Sequence, residues 1–182
     1  HQWGLLDDDV LAWSQSAPPD PGMLRKLMEV RQIFEPKAAR WAAERGSDEA
    51  REAIRASLMD MEQQTDTAES FVTADAKFHQ SILHATENEF LMALEGVIFT
   101  ALLSSIRLTN TDPRDNIKSV PFHREVYEAI EGRDGAQAET AMETLLADAD
   151  SRLAERLGSV KNQNGGDFGS GSPGSGEVGE TT

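Results

Sequence analysis

From Met23 to about Arg45 the apolar residues Leu24, Leu27, Val30, Ile33, Phe34, Ala38, Trp41 and Ala42 recur every three or four positions. That spacing lines side chains along one side of an α-helix. It returns in segment after segment as far as Leu157. No run alternates apolar with polar residues as a half-buried strand does. The chain is therefore expected to be all-α, an antiparallel bundle of six or seven helices joined by short connections.

Proline and glycine set the helix boundaries. Leu5–Ser14 is a short amphipathic stretch, and SAPPDPG breaks the chain after it. Gly46 ends the helix begun at Met23, and Ser47 is placed to cap the next, with Ala50, Ile54, Leu58 and Met61 on one face. A third long helix is expected from about Ala68 to Ala85, with Phe71, Val72, Phe78, Ile82 and Leu83. Asn88 then suits an N-cap. Residues 90–108 carry Phe90, Leu91, Leu94, Val97, Ile98, Leu102, Leu103 and Ile106 on nearly every side, the pattern of a central helix. After TNTDPRDN come Ile117–Glu131 and Gly135–Leu157, joined by GRDG.

Beyond Gly158 the text changes character. Half of the 14 glycines lie between Gly165 and Gly179, and only Phe168 and Val178 are large and apolar after Val160. Such a segment buries too little surface to offset its ordering entropy, so residues 159–182 read as a disordered Gly/Ser-rich tail, behind a domain at 21–158. The 182 residues contain no cysteine, which excludes disulfides and thiolate metal sites. No apolar run approaches the ~18 residues of a membrane span. Residues 1–20 lack a secretory pattern, so the expected compartment is the cytoplasm. Lys and Arg number 17 against 32 Asp and Glu, a net charge of −15. Such acidity repels phosphate backbones, so nucleic-acid binding by these residues is not expected.

Four polar residues stand among apolar ones. Arg31 shares a stripe with Leu24 and Leu27, where a guanidinium requires an anion or water. That anion is either a buried Glu or a carboxylate ligand, which Arg grips in bidentate fashion. Pro36, in the same helix, cannot donate to the Gln32 carbonyl and favours a kink. Asp75 and His79, four apart, occupy one face beside Phe71, Phe78 and Ile82. His123, in PFHREVYEAI, neighbours Val126, Tyr127 and Ile130. A carboxylate and imidazole at i, i+4, with an imidazole from a second helix, can form a facial metal site. A plain Asp–His hydrogen bond is the alternative. His84 reads as a surface residue.

The order LLDDDVLAW, LMEVRQIFEPKAARWAAER, ADAKFHQSILHATEN, PFHREVYEAI, AMETLLADA resembles the FCD effector domain of FadR-subfamily GntR transcription regulators, over roughly residues 3–156. The likeness is strongest to sugar-acid-responsive members. The most specific pieces are Arg31-x-x-x-Glu35-Pro36 and Asp75-x-x-x-His79 followed by Asn88. The resemblance implies a homodimeric bundle enclosing a cavity. It also implies a winged helix-turn-helix ahead of this domain that reads operator DNA, with residues 1–20 as the connection to it. In many members an Asp and three His hold a divalent metal that receives a carboxylate effector. Asp75, His79 and His123 match three of those ligands. The fourth is expected near Leu145, so the four-ligand site is incomplete. Zn²⁺, Ni²⁺ and Mn²⁺ all suit the remaining donors, and a metal-free site in which the same residues hydrogen-bond the acid stays open. Arg31 matches the family's cavity arginine. Ser104 and Arg107, in SSIRLTN, are candidates for the same cavity, though Arg107 also suits a helix-end cation.

The expected function is thus to sense a small carboxylate, an aldonate such as galactonate, for a repressor-type regulator and without turnover. Two other readings stand beside it. One is a metal-dependent bundle enzyme using Asp75, His79 and His123, because two histidines and a carboxylate with open positions also suit oxygenase chemistry. The other is a purely structural dimerisation bundle.

Overall fold

The computed structural model describes residues 21–64, 67–93 and 113–164. The helices there are α1 (Pro21–Arg45), α2 (Asp48–Gln63), α3 (Ala68–Ala85), α4 (Pro113–Glu131) and α5 (Gly135–Asn164), with a further helical stretch at 89–93. The architecture is all-α. The expected helix at Leu5–Ser14, the stretch 94–108 with Ser104 and Arg107, and residues 165–182 lie outside the described residues.

The boundaries follow capping chemistry. Ser47 Oγ accepts from the Ala50 amide at 3.1 Å, Thr67 Oγ1 from Ser70 at 3.3 Å, and Asn88 Oδ1 from Phe90 at 3.0 Å. Asp134 Oδ1 accepts from Gln137 at 2.9 Å to start α5. Each satisfies an amide that the first helical turn leaves without a partner. Helix α4 starts at Pro113 rather than Ile117, because proline suits the first turn, where no intrahelical donor is lost. Helix α5 runs through Gly158 to Asn164, past the expected helix end at Leu157. Between Ser159 and Asn164 there is no proline or glycine, and adding residues to an existing helix is far easier than nucleating one.

Helix α1 packs mainly on α5, α2 on α3, and α4 on α5. Phe71, Phe78, Ile54, Met61, Ile82, Ile130, Met142, Leu145 and Leu146 fill the core between them. Each large apolar side chain buried there contributes about 1.5–3 kcal/mol. On α1 the buried stripe is Leu24, Met28, Arg31, Glu35, Ala38, Ala39, Ala42 and Ala43. Val30 and Ile33, expected on the inner face, are 48% and 75% exposed. Two stripes at helical spacing overlap in this segment. The inward one is carried by alanines, whose small side chains let neighbouring helices approach closely, and by an internally neutralised Arg–Glu pair. Phe90, expected in the central apolar helix, is 84% exposed.

Candidate metal and effector site

Three helices contribute to one buried polar cluster. Helix α1 supplies Arg31 and Glu35, α3 supplies Asp75 and His79, and α4 supplies His123. All five are buried. Each pair within a helix is four residues apart, so both members share a face. The apolar stripe of its own helix turns that face inward.

Asp75 Oδ1 is the centre of the cluster. His123 Nε2 lies 2.9 Å from it and His79 Nε2 3.3 Å. One ligand atom from each of Asp75, His79 and His123 falls within 4.8 Å of the other two. Two donors bound at about 2.1 Å to one ion lie about 3.0 Å apart in octahedral geometry and about 3.4 Å apart in tetrahedral geometry. The separations of the two imidazole nitrogens from Asp75 Oδ1, 2.9 and 3.3 Å, lie close to that range.

The ring of His123 is oriented from behind. Its Nδ1 lies 2.9 Å from the Ser119 carbonyl, which can only accept, so Nδ1 carries the proton. Nε2 then faces a carboxylate oxygen of Asp75. Two such atoms 2.9 Å apart require a proton or a metal ion with them. A backbone carbonyl holding the far nitrogen is the usual support of a metal-binding histidine. His79 has a carboxylate behind it instead: Glu35 Oε2 lies 2.8 Å from its Nδ1, without hydrogen-bond alignment. Phe78 meets both imidazoles edge-on, with ring centroids 5.8 and 5.2 Å away. It walls the cluster with hydrocarbon.

Of the two partners expected for Arg31, the buried Glu is the one present, Arg31 Nε donating to Glu35 Oε1 at 2.7 Å. Its Nη2 also sits 3.3 Å from His79 Nε2, the nitrogen that a metal would take. A divalent ion taking that nitrogen would come to lie beside the guanidinium.

The charges are strongly coupled. Burial raises the Glu35 carboxyl, but Arg31 and His79 outweigh it and hold the group at about 2. Burial likewise raises Asp75, and the charge and hydrogen bond of His123, with His79, bring it well below the usual carboxylate range. Burial lowers His79, yet Glu35 and the hydrogen bond to Asp75 lift it to about 9. Without a metal, then, His79 is held as a cation between two carboxylates.

The donor set fits a divalent ion that keeps open positions for other oxygen ligands. Leu145, the expected place of a fourth ligand, is buried in the apolar core. His84 is exposed, as expected. Glu35 was visible in the sequence as the carboxylate one turn from Arg31, but its place behind His79 was not. Asn116 was missed. It is fully buried on α4, with neither Oδ1 nor Nδ2 hydrogen-bonded among the described residues, and an Asn beside a loop gives no signal of burial.

The FCD domain family matches residues 26–148, which include all five cluster residues. The chain belongs to the FCD-domain family. This FCD domain is 32% identical to the galactonate operon transcriptional repressor of Escherichia coli K12, over 85% of the chain and 68% of the relative. It is 29% identical to the HTH-type transcriptional regulator LutR of Bacillus subtilis, over 72% of the chain and 62% of that protein. It is 26% identical to the HTH-type transcriptional repressor NanR of Klebsiella aerogenes, over 69% of the chain and 49% of that protein. The chain thus spans from about half to about two thirds of these relatives' lengths. Each is named as a transcriptional regulator and none as an enzyme, in line with the expectation of no turnover. A Streptococcus agalactiae GntR structure shares the fold, with a TM-score of 0.64 and 23% identity over 81% of this chain and 66% of that one. Among the described residues no helix is long and apolar enough to cross a membrane.

Proposed function

We propose that this FCD domain is the effector-sensing and dimerisation unit of a cytoplasmic transcriptional regulator, and that its effector is a sugar acid of the aldonate type. The observation that carries the reading is the convergence of two imidazole nitrogens and a carboxylate oxygen beside a buried guanidinium. Asp75, His79 and His123 would hold a divalent ion, which would supply positive charge for a carboxylate and its 2-hydroxyl. Arg31 is the second anchor. Its Nη2, on the His79 side, would pair with the effector carboxylate, while Nε keeps Glu35. Ser104 and Arg107 complete the polar lining in this proposal.

The sugar-acid class is supported by the 32% identity to a galactonate operon repressor. Regulation follows from differential binding. An effector that prefers one arrangement of α1, α3 and α4 shifts the domain's population towards it. In the whole protein, that shift biases a winged helix-turn-helix dimer on operator DNA.

The test is calorimetric titration of the domain with D-galactonate and D-gluconate, with and without Zn²⁺, Ni²⁺ or Mn²⁺. Saturable binding that needs the metal, is lost in Arg31→Ala and leaves the acid chemically unchanged supports the sensor. Turnover of the acid supports the enzyme reading instead. Flat titrations under every condition leave a structural bundle.

A further inference from the structure

Asn116 carries an unanswered demand for hydrogen bonds. Along α4 the buried positions Asn116, Ser119, His123, Val126 and Ile130 make one inward stripe. The polar backbone on it is accounted for: Ser119 Oγ donates to the Asn116 carbonyl at 2.9 Å, and the Ser119 carbonyl accepts from His123 Nδ1 at 2.9 Å. The amide side chain of Asn116 is left. Its Oδ1 and Nδ2 are both buried and both without partners among the described residues. A buried amide is costly unless something bonds to it.

The chemistry of the missing partner is narrow. An amide offers two N–H donors and one acceptor on adjacent atoms. A carboxylate would face repulsion from Oδ1, and an apolar group would leave both atoms unmet. A hydroxyl, which both donates and accepts, answers the pair. Seven residues of helix put Asn116 roughly 10 Å along the axis from His123. An extended polyol chain anchored by its carboxylate at the metal cluster covers that span, and a two- or three-carbon hydroxy acid does not.

We infer that Asn116 is a specificity-determining residue that hydrogen-bonds a hydroxyl at the far end of the sugar-acid chain and so sets the minimum effector length. The inference rests on the sensor reading above. An internal water bonded to the amide is the competing occupant.

The test compares the wild-type domain with Asn116→Leu in Zn²⁺, by calorimetry against D-galactonate, D-gluconate, glycolate and L-lactate. The expected result is an affinity loss of about tenfold or more for the six-carbon acids. Glycolate and lactate binding, Zn²⁺ affinity and the melting temperature should be maintained. Asn116→Ala gives the same comparison if leucine over-packs the site. Unchanged aldonate affinity points to water on the amide and overturns the inference, as does an equal loss for long and short acids. Wild-type protein that binds acids of neither length overturns the sensor reading itself, and this inference with it.

Discussion

At the residue scale the cluster is a set of charges that stabilise one another only as a group. Arg31 and Glu35 are both nearly inaccessible to solvent, so Glu35→Gln leaves a buried cation short of its partner. Such a change is expected to cost about 3–5 kcal/mol, read as a lower urea midpoint. The metal-free domain also has a defined pH window. His79 is raised from 6.5 to about 9, so its contribution is full below pH 6.5 and is lost as pH climbs towards 9. Glu35 is lowered from 4.5 to about 2, so its contribution is full above pH 4.5 and is lost as pH falls towards 2. The melting temperature without metal should therefore peak between about pH 4.5 and 6.5, and a thermal scan across pH checks it. A metal must also displace the His79 proton at pH 7. Zinc uptake should release protons, measured as a binding enthalpy that varies with the ionisation enthalpy of the buffer.

At the element scale the helix ends carry most of the local specification. Gly46 closes α1 with its amide 2.9 Å from the Ala42 carbonyl, and a Cβ placed there would lie 2.4 Å from that same oxygen. Gly46→Ala must push the backbone aside and is expected to cost about 1–3 kcal/mol, seen in chemical denaturation. Arg51 closes the same corner, its Nη1 donating to the Gly46 carbonyl at 2.6 Å. The α4–α5 turn shows the opposite case. Arg133 sits at φ 57°, where its amide bonds Ile130 and that of Asp134 bonds Ala129. This is a helix stop that favours glycine. Arg133→Gly is expected to gain about 0.5–1 kcal/mol, less what its exposed contact with Asp48 supplies. A small rise in melting temperature checks it.

At the scale of the whole molecule, the site joins elements that otherwise touch little. Helices α3 and α4 share few contacts, yet Asp75 and His79 on one meet His123 on the other. An ion bound there ties them together, and because it binds only the folded state it stabilises the whole bundle. At a free metal concentration of 100 times Kd the gain is about 2.7 kcal/mol. Zinc should raise the melting temperature, a chelator should reverse the rise, and His123→Ala should abolish it.

The residue pattern alone determined the helical class, because burying one face of an α-helix demands a 3–4 repeat that no strand can use. It also marked α3 from Ala68 to Ala85 and the caps at Ser47 and Asn88, since the hydrogen bonds of a cap form between residues close in the chain. Asp75, His79 and His123 were legible as donors of the right kinds, and Arg31 as a cation on an apolar stripe. Tertiary packing decided what they do together. Oδ1 of Asp75 and Nε2 of His123 come from residues 48 positions apart, so helical periodicity says nothing about their separation. Packing also chose which of two overlapping stripes on α1 faces inward, turned Ile33 out and Glu35 in, and enclosed the Asn116 amide. Those outcomes depend on the volumes and charges of helices distant in the chain, which a local repeat does not encode.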